Sequence, residues 1–193
     1  MINSTSLLRR WRSSGLIGLI VCLIVVALLL ATRPGPVNAQ RTDRDVDLGQ
    51  VATARAFEVR ATDVTVGTAA IDEVGQQIRT EHRLVVVNVE ASVLREQNQL
   101  ETDLITLDGH RHHPRAEFSS AGPTTTAPGF TRTYTVVYEV PVERVAGARL
   151  LLDDVRGFEV HHEAVRVDLG LTDDTEVSRA PIVVVDTVVR VAS

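Results

Sequence analysis

The alternation of apolar and polar residues divides the chain into two parts. Gly15 to Ala31 form a run of seventeen residues without a charged side chain. From Gly49 onward apolar and polar residues alternate with a period of two, as they do in β-strands with one face in the core and the other towards solvent. The clearest strand is Leu84–Val93. Its apolar face carries Val85, Val87, Val89, Ala91 and Val93, and its polar face carries Asn88, Glu90 and Ser92.

Further alternating runs predict a series of short strands separated by turns. They lie near residues 56–66, 104–107, 130–140, 149–152 and 158–169. The alternation slips phase near Asp63, as a β-bulge would produce. Valine and threonine dominate, and no run has the period of an amphipathic helix. This spacing predicts an all-β fold, an antiparallel β-sandwich over residues 49–170.

The apolar run at residues 15–31 predicts a single transmembrane helix. As a helix it is roughly 25 Å long, at the short end of what spans the core of a bilayer. Three arginines and no acidic residue precede it, whereas only Arg33 follows closely. The positive-inside rule therefore places residues 1–14 in the cytoplasm and the rest of the chain outside the cell membrane.

A cleaved signal peptide is the competing interpretation of the same segment. Val37, Asn38 and Ala39 supply small residues before a cleavage site at Gln40. The apolar run is longer than most signal peptides carry, and eight residues separate it from the candidate cleavage site after Ala39. We therefore favour a retained signal anchor, and both interpretations make the following domain extracytoplasmic.

Two stretches flank the predicted sandwich. Residues 32–48 combine Pro, Gly and charged residues without apolar periodicity, which predicts a linker. Residues 171–193 begin with an acidic turn and continue into valine-rich sequence, which predicts one extra C-terminal strand. That strand could either complete a sheet or meet a partner.

The charge of the chain excludes some partners and scaffolds. After Ala31 there are 17 arginines against 25 acidic residues, a formal charge of −8. Such a domain is unsuited to nucleic acid or to an anionic lipid surface. Cys22 is the single cysteine and lies in the apolar run, which excludes an intramolecular disulfide and a cysteine-ligated zinc module.

Several motifs resemble the extracytoplasmic immunoglobulin-like family called domain of unknown function 4352. They are Phe57-x-Val59 before Asp63-Val64, the Leu84–Val93 strand, Leu107-Asp108-Gly109, Pro128-Gly129 before the strand ending Tyr138-Glu139-Val140-Pro141, and the closing strand Leu150–Leu152. The resemblance implies an immunoglobulin-like sandwich behind a signal, lipid or membrane anchor at a bacterial surface. It implies no catalytic residues.

Histidine is the one chemically useful residue type that clusters. His110 and His112 would point the same way on a strand, and His161 or His162 could join them from a neighbouring strand. Three imidazoles suit Zn²⁺ or Cu²⁺. Arg111 and Arg115 would repel a cation, however, so we favour solvent-exposed loop histidines and keep a metal site as the alternative.

Motifs for catalysis are missing from the sequence. It has no Gly-x-Ser-x-Gly elbow, no phosphate-binding glycine loop and no cysteine nucleophile beyond the apolar run. We expect a protein that is not an enzyme and needs no cofactor. The sequence predicts a membrane-anchored binding protein whose partner is another envelope or membrane protein. The alternative is a histidine-based module that binds or delivers Zn²⁺ or Cu²⁺.

Overall fold

The alternating segments form β-strands in the computed structural model of the protein, which describes residues 42–94, 100–119, 126–154 and 163–192. In these residues the strands are β1 (Thr42–Asp47), β2 (Ala52–Thr53), β3 (Phe57–Ile71), β4 (Gln77–Val93), β5 (Leu100–Ile105), β6 (Arg111–His112), β7 (Phe130–Val140), β8 (Arg149–Asp154), β9 (Glu163–Asp168), β10 (Val177–Ser178), β11 (Ile182–Val183) and β12 (Val188–Val191).

Two sheets pack face to face around one apolar core. Sheet A has the strand order β1–β9–β8–β5–β6, and sheet B has the order β10–β3–β4–β7–β12, with β2 and β11 also paired to β3. Leu150 and Leu152 of sheet A share a buried cluster with Val85, Val87 and Val89 of sheet B. The predicted all-β sandwich is therefore confirmed.

The predicted faces of the central strand are also confirmed. Val85, Val87 and Val89 of β4 are fully buried between the sheets, whereas Asn88 and Glu90 on the opposite face are half-buried. The register between β3 and β4 shifts between Ala61 and Asp63. This irregularity lies where the slip in the sequence predicts a β-bulge, because an extra residue reverses the faces that follow it.

The sandwich is not purely antiparallel, which corrects the predicted fold at its edges. The ladders β3–β4–β7 and β5–β8–β9 are antiparallel, but β1 runs parallel to β9. Residues Thr42–Asp47, which lie in the linker predicted at 32–48, thus form an edge strand. Backbone hydrogen bonds with β9 stabilise this strand. Val46 is its single apolar residue, and its side chain packs against the core.

The C-terminal segment crosses the outer face of sheet B. β10 and β11 run parallel to β3, and β12 then pairs antiparallel with β7 at the far edge. We call residues 177–191 the C-terminal strap. Ile182 and Val184 of the strap pack on Leu84, Val86 and Val137, which form a second buried cluster. The predicted extra strand thus completes sheet B. Ile182 and Val184 of the strap also cover the outer face of sheet B, whereas sheet A packs on its inner face.

Helix contributes little to the part of the chain that the structure describes. Its helical element there is a single 3₁₀ turn at Val142–Arg144, and no helix among the described residues is long and apolar enough to span a membrane. The predicted cytoplasmic tail at 1–14 and transmembrane helix at 15–31 lie outside those residues.

Candidate functional site

The hairpin between β5 and β6 holds most of the clustered histidines. Gly109 adopts a φ of +82°, a conformation that glycine reaches without strain, and its N–H donates to the Thr106 carbonyl at 2.9 Å. The hairpin turn predicted at Asp108–Gly109 is confirmed. The Thr106 hydroxyl donates to the Asp108 carboxylate and, helped by Arg144, holds the pKa of Asp108 below its usual range.

The structure describes two of the three predicted metal ligands, His110 and His112. His110 is exposed, and its Nδ1 lies 3.2 Å from Asp108 Oδ2. His112 pairs with Leu104 across the ladder, and its Nε2 is buried without a hydrogen-bond partner among the described residues. His161 falls outside those residues. Within the described part of the chain, no three His, Cys, Asp or Glu side chains come together as a metal site would require.

Asp103 is the site residue that sequence reasoning missed. It lies on the outer face of β5 and is almost completely buried, yet it is an acid. Its two carboxylate oxygens lie 2.7 Å from Arg111 Nη2 and 2.7 Å from His113 Nδ1. Because the hairpin returns the chain beside β5, these partners come from the next strand and the residue after it. The available signal was an acid directly before the strand predicted at residues 104–107, followed after the turn by a segment rich in Arg and His.

A cavity opens beside this ion pair on the outer face of sheet A. Its volume is about 510 Å³, and three arginines contribute to its wall: Arg111, Arg149 and Arg166. Ile105 and Leu151 provide apolar surface among the lining residues. We call this cavity the arginine pocket. It is unexpected in a domain with a large excess of acidic residues.

The second notable surface is the outer edge of sheet B. Val188, Val189 and Val191 of β12 are 41%, 57% and 76% exposed, so both faces of the strand present valine to solvent. Ala192 N–H donates to the Gly129 carbonyl at 2.8 Å. Because hydrogen-bonded pairs alternate along an antiparallel ladder, the N–H and C=O groups of Val189 and Val191 then point away from β7. We call Val188–Val191 with these outward groups the β12 edge.

The comparisons with known proteins give no function for the chain. No family model matches the chain, and no curated protein matches it. A solved "uncharacterized beta-sandwich protein" from Clostridium difficile 630 is 11% identical, with a TM-score of 0.42 over 66% of this chain and 95% of its own. A "conserved hypothetical protein" from Bacillus anthracis is 14% identical, with a TM-score of 0.46 over 58% of this chain and 91% of its own.

The fold and its two surfaces define the class of the domain. It is a mixed β-sandwich with an arginine pocket on one sheet and an apolar open edge on the other. The resemblance to domain of unknown function 4352, with its immunoglobulin-like topology, stays a prediction.

Proposed function

We propose that the protein is a non-catalytic, membrane-anchored binding protein of the bacterial cell envelope. In this proposal residues 15–31 hold the chain in the membrane, and the sandwich lies on the extracytoplasmic side. The domain binds another envelope or membrane protein as an accessory component of a complex. The β12 edge is the observation that carries the binding role.

The β12 edge differs from the other sheet edges among the described residues. Proteins protect open edges with charged residues, proline or very short strands. The β1 edge is rich in charged residues and β10 is only two residues long. β12 instead has the sequence Val-Val-Arg-Val and no proline. Its lack of protection favours an edge that is covered by a partner in the assembled complex.

The chemistry of the edge indicates what that partner supplies. An extended segment adding alongside β12 would satisfy the outward backbone groups of Val189 and Val191, which is binding by strand addition. Apolar side chains of the segment would cover the valines, and an acidic side chain would pair with exposed Arg190. The proposed partner surface is therefore a short extended segment with apolar residues and one acid.

The first test is site-specific crosslinking in the native membrane. We expect a photoreactive amino acid at Val189 of the full chain to yield a defined crosslink to another protein. The same probe at Val74, an exposed valine at the tip of the β3–β4 hairpin, serves as the control and is expected to yield none. Equal crosslinking at the two positions, or none at Val189, would contradict the proposal.

Proline at the same position tests the backbone itself. Val189→Pro removes an N–H that points away from β7, so the strand can remain while the edge loses a donor. We expect this variant to lose the partner identified by crosslinking, as measured by co-purification from solubilised membranes. Val189→Thr keeps the N–H and the β-branched shape, and it should retain the partner. If both variants lose the partner, the Val189 side chain makes the essential contact, and binding by strand addition is contradicted.

The anchor can be tested separately. We expect the native protein extracted from membranes to begin before the apolar run, because seventeen uncharged residues can span a bilayer and the distance to Ala39 is long for cleavage. N-terminal sequencing measures this directly. A mature chain that begins at Gln40 would show that the segment is a cleaved signal peptide.

A further inference from the structure

The arginine pocket on sheet A is a second site, independent of the β12 edge, and we infer that it binds a singly charged organic carboxylate with an apolar body. The arginines flank an apolar floor. Ile105 of β5 pairs with Arg149 on one side and with Arg111 on the other. Arg111 and Arg149 thus place guanidinium groups on both sides of one apolar side chain.

The charges of the pocket are arranged in layers. Asp103 and Asp43 lie deep, with side chains only 8% and 20% exposed, whereas the side chains of Arg111, Arg149 and Arg166 are 49%, 45% and 37% exposed. The three guanidinium groups therefore form the layer that meets solvent together with one carboxylate, that of Asp168, whose side chain is 46% exposed. A ligand that enters from solvent meets net positive charge first, although the whole domain is acidic.

The ion pairs leave the arginines with donors for a ligand. A guanidinium has five N–H donors in a rigid fork, and one ion pair engages only part of them. Arg111 reaches Asp103 through Nη2, and Arg166 reaches Asp43 through Nη2. Arg149 Nε lies 3.8 Å from Asp168 Oδ2, which is too long for a hydrogen bond. Arg149 is therefore best placed to receive a carboxylate in the bidentate geometry that arginine favours.

Charge balance and size select the ligand class. Three arginines are matched by three nearby carboxylates, at Asp43, Asp103 and Asp168. Since these charges are already balanced, the site can accommodate a ligand with one negative charge more readily than a phosphate group with about two. The volume of about 510 Å³ lies in the range of small-molecule pockets, and Ile105 and Leu151 offer an apolar floor. A free acid and the carboxyl terminus of a short peptide share this chemistry.

The test uses the full chain in lipid nanodiscs and 4-fluorobenzoate as the probe, observed by ¹⁹F NMR. We expect saturable binding of 4-fluorobenzoate and at least tenfold weaker binding of 4-fluorobenzamide, which lacks the charge. Empty nanodiscs correct for partitioning into lipid. Equal binding of the acid and the amide, or displacement of the acid by equimolar inorganic phosphate, would overturn the inference.

Variants locate the site. Arg149→Gln is expected to weaken 4-fluorobenzoate binding at least tenfold, and Arg149→Lys by a smaller factor, because lysine keeps the charge and loses the fork. Arg60→Gln is the matched control, since Arg60 is a similarly exposed arginine of sheet B. Thermal unfolding of each variant checks that it is folded. Unchanged affinity in folded Arg149→Gln, or an equal loss in Arg60→Gln, would overturn the assignment.

A pair of peptides separates the two sources of carboxylate. Gly-Gly-Phe with a free carboxyl terminus and the same peptide with an amidated terminus compete with 4-fluorobenzoate in the same assay. Displacement by the free peptide alone assigns the pocket to peptide carboxyl termini. If the free peptide does not displace bound 4-fluorobenzoate, the ligand is a small free acid. Both results support a carboxylate site, whereas equal displacement by the two peptides contradicts it.

Discussion

Val87→Asp is expected to unfold the sandwich. Val87 is fully buried on the inner face of β4, where it pairs with Val64 on one side and Val136 on the other. An unpaired carboxylate in apolar surroundings costs several kcal/mol. The whole free energy of unfolding of a domain is about 5–15 kcal/mol. The substitution therefore removes most or all of the stability.

Glu90→Ala on the same strand is the control. Glu90 lies on the opposite face, where its Oε2 is 2.5 Å from Arg60 Nη2 and both side chains are more than a third exposed. An ion pair at this exposure contributes about 0–1 kcal/mol. Far-UV circular dichroism of the full chain in detergent, followed during heating, compares the variants. Melting temperatures lowered equally by Val87→Asp and Glu90→Ala would contradict the assignment of the two faces.

The double substitution Ile182→Ala with Val184→Ala is expected to destabilise the domain by about 2–5 kcal/mol. Both side chains are buried, and they cover the outer-face cluster that contains Val86 and Val137. Removing them leaves a cavity in this cluster, to which Phe118 also contributes. The C-terminal strap would then contribute to the stability of the whole sandwich, although it lies beyond the predicted domain boundary.

Val183→Ala provides the matched comparison within the strap. Val183 lies between the two buried residues and is 63% exposed. Its truncation is expected to change stability by no more than about 0.5 kcal/mol, as for other surface positions. Urea unfolding of the full chain measures both variants. A similar loss in Val183→Ala, or no loss in the double variant, would show that the strap is not packed as described.

The sequence by itself determined the class of fold and the inner face of its central strand. Alternation with a period of two is a local property, because successive side chains of a strand point to opposite sides of the sheet. Val87 could therefore be assigned to the core without knowing which strands pair with β4. The bulge near Asp63 and the turn at Asp108–Gly109 were predictable for the same reason, since each depends on a few consecutive residues.

The alternation could not explain why Val86 is buried on the opposite face. A run such as Leu84–Val87 is apolar at every position, and only the tertiary structure, in which the strap and Phe118 pack on the outer face, shows that both faces of the sheet are covered. The strand at Thr42–Asp47 was missed because an edge strand needs a neighbour with free backbone groups more than it needs apolar side chains. That neighbour, β9, lies more than a hundred residues further along the chain.

The two candidate binding surfaces were decided by tertiary structure alone. Arg111, Arg149 and Arg166 belong to three strands and meet only because sheet A brings β6, β8 and β9 together. The open edge of β12 likewise depends on the strap crossing sheet B to reach β7. Local sequence fixes which way a side chain points from its own strand. The neighbours of that side chain depend on which distant segments pair with the strand. The stability of such pairing comes from the packing of the whole core and cannot be assigned to a few consecutive residues.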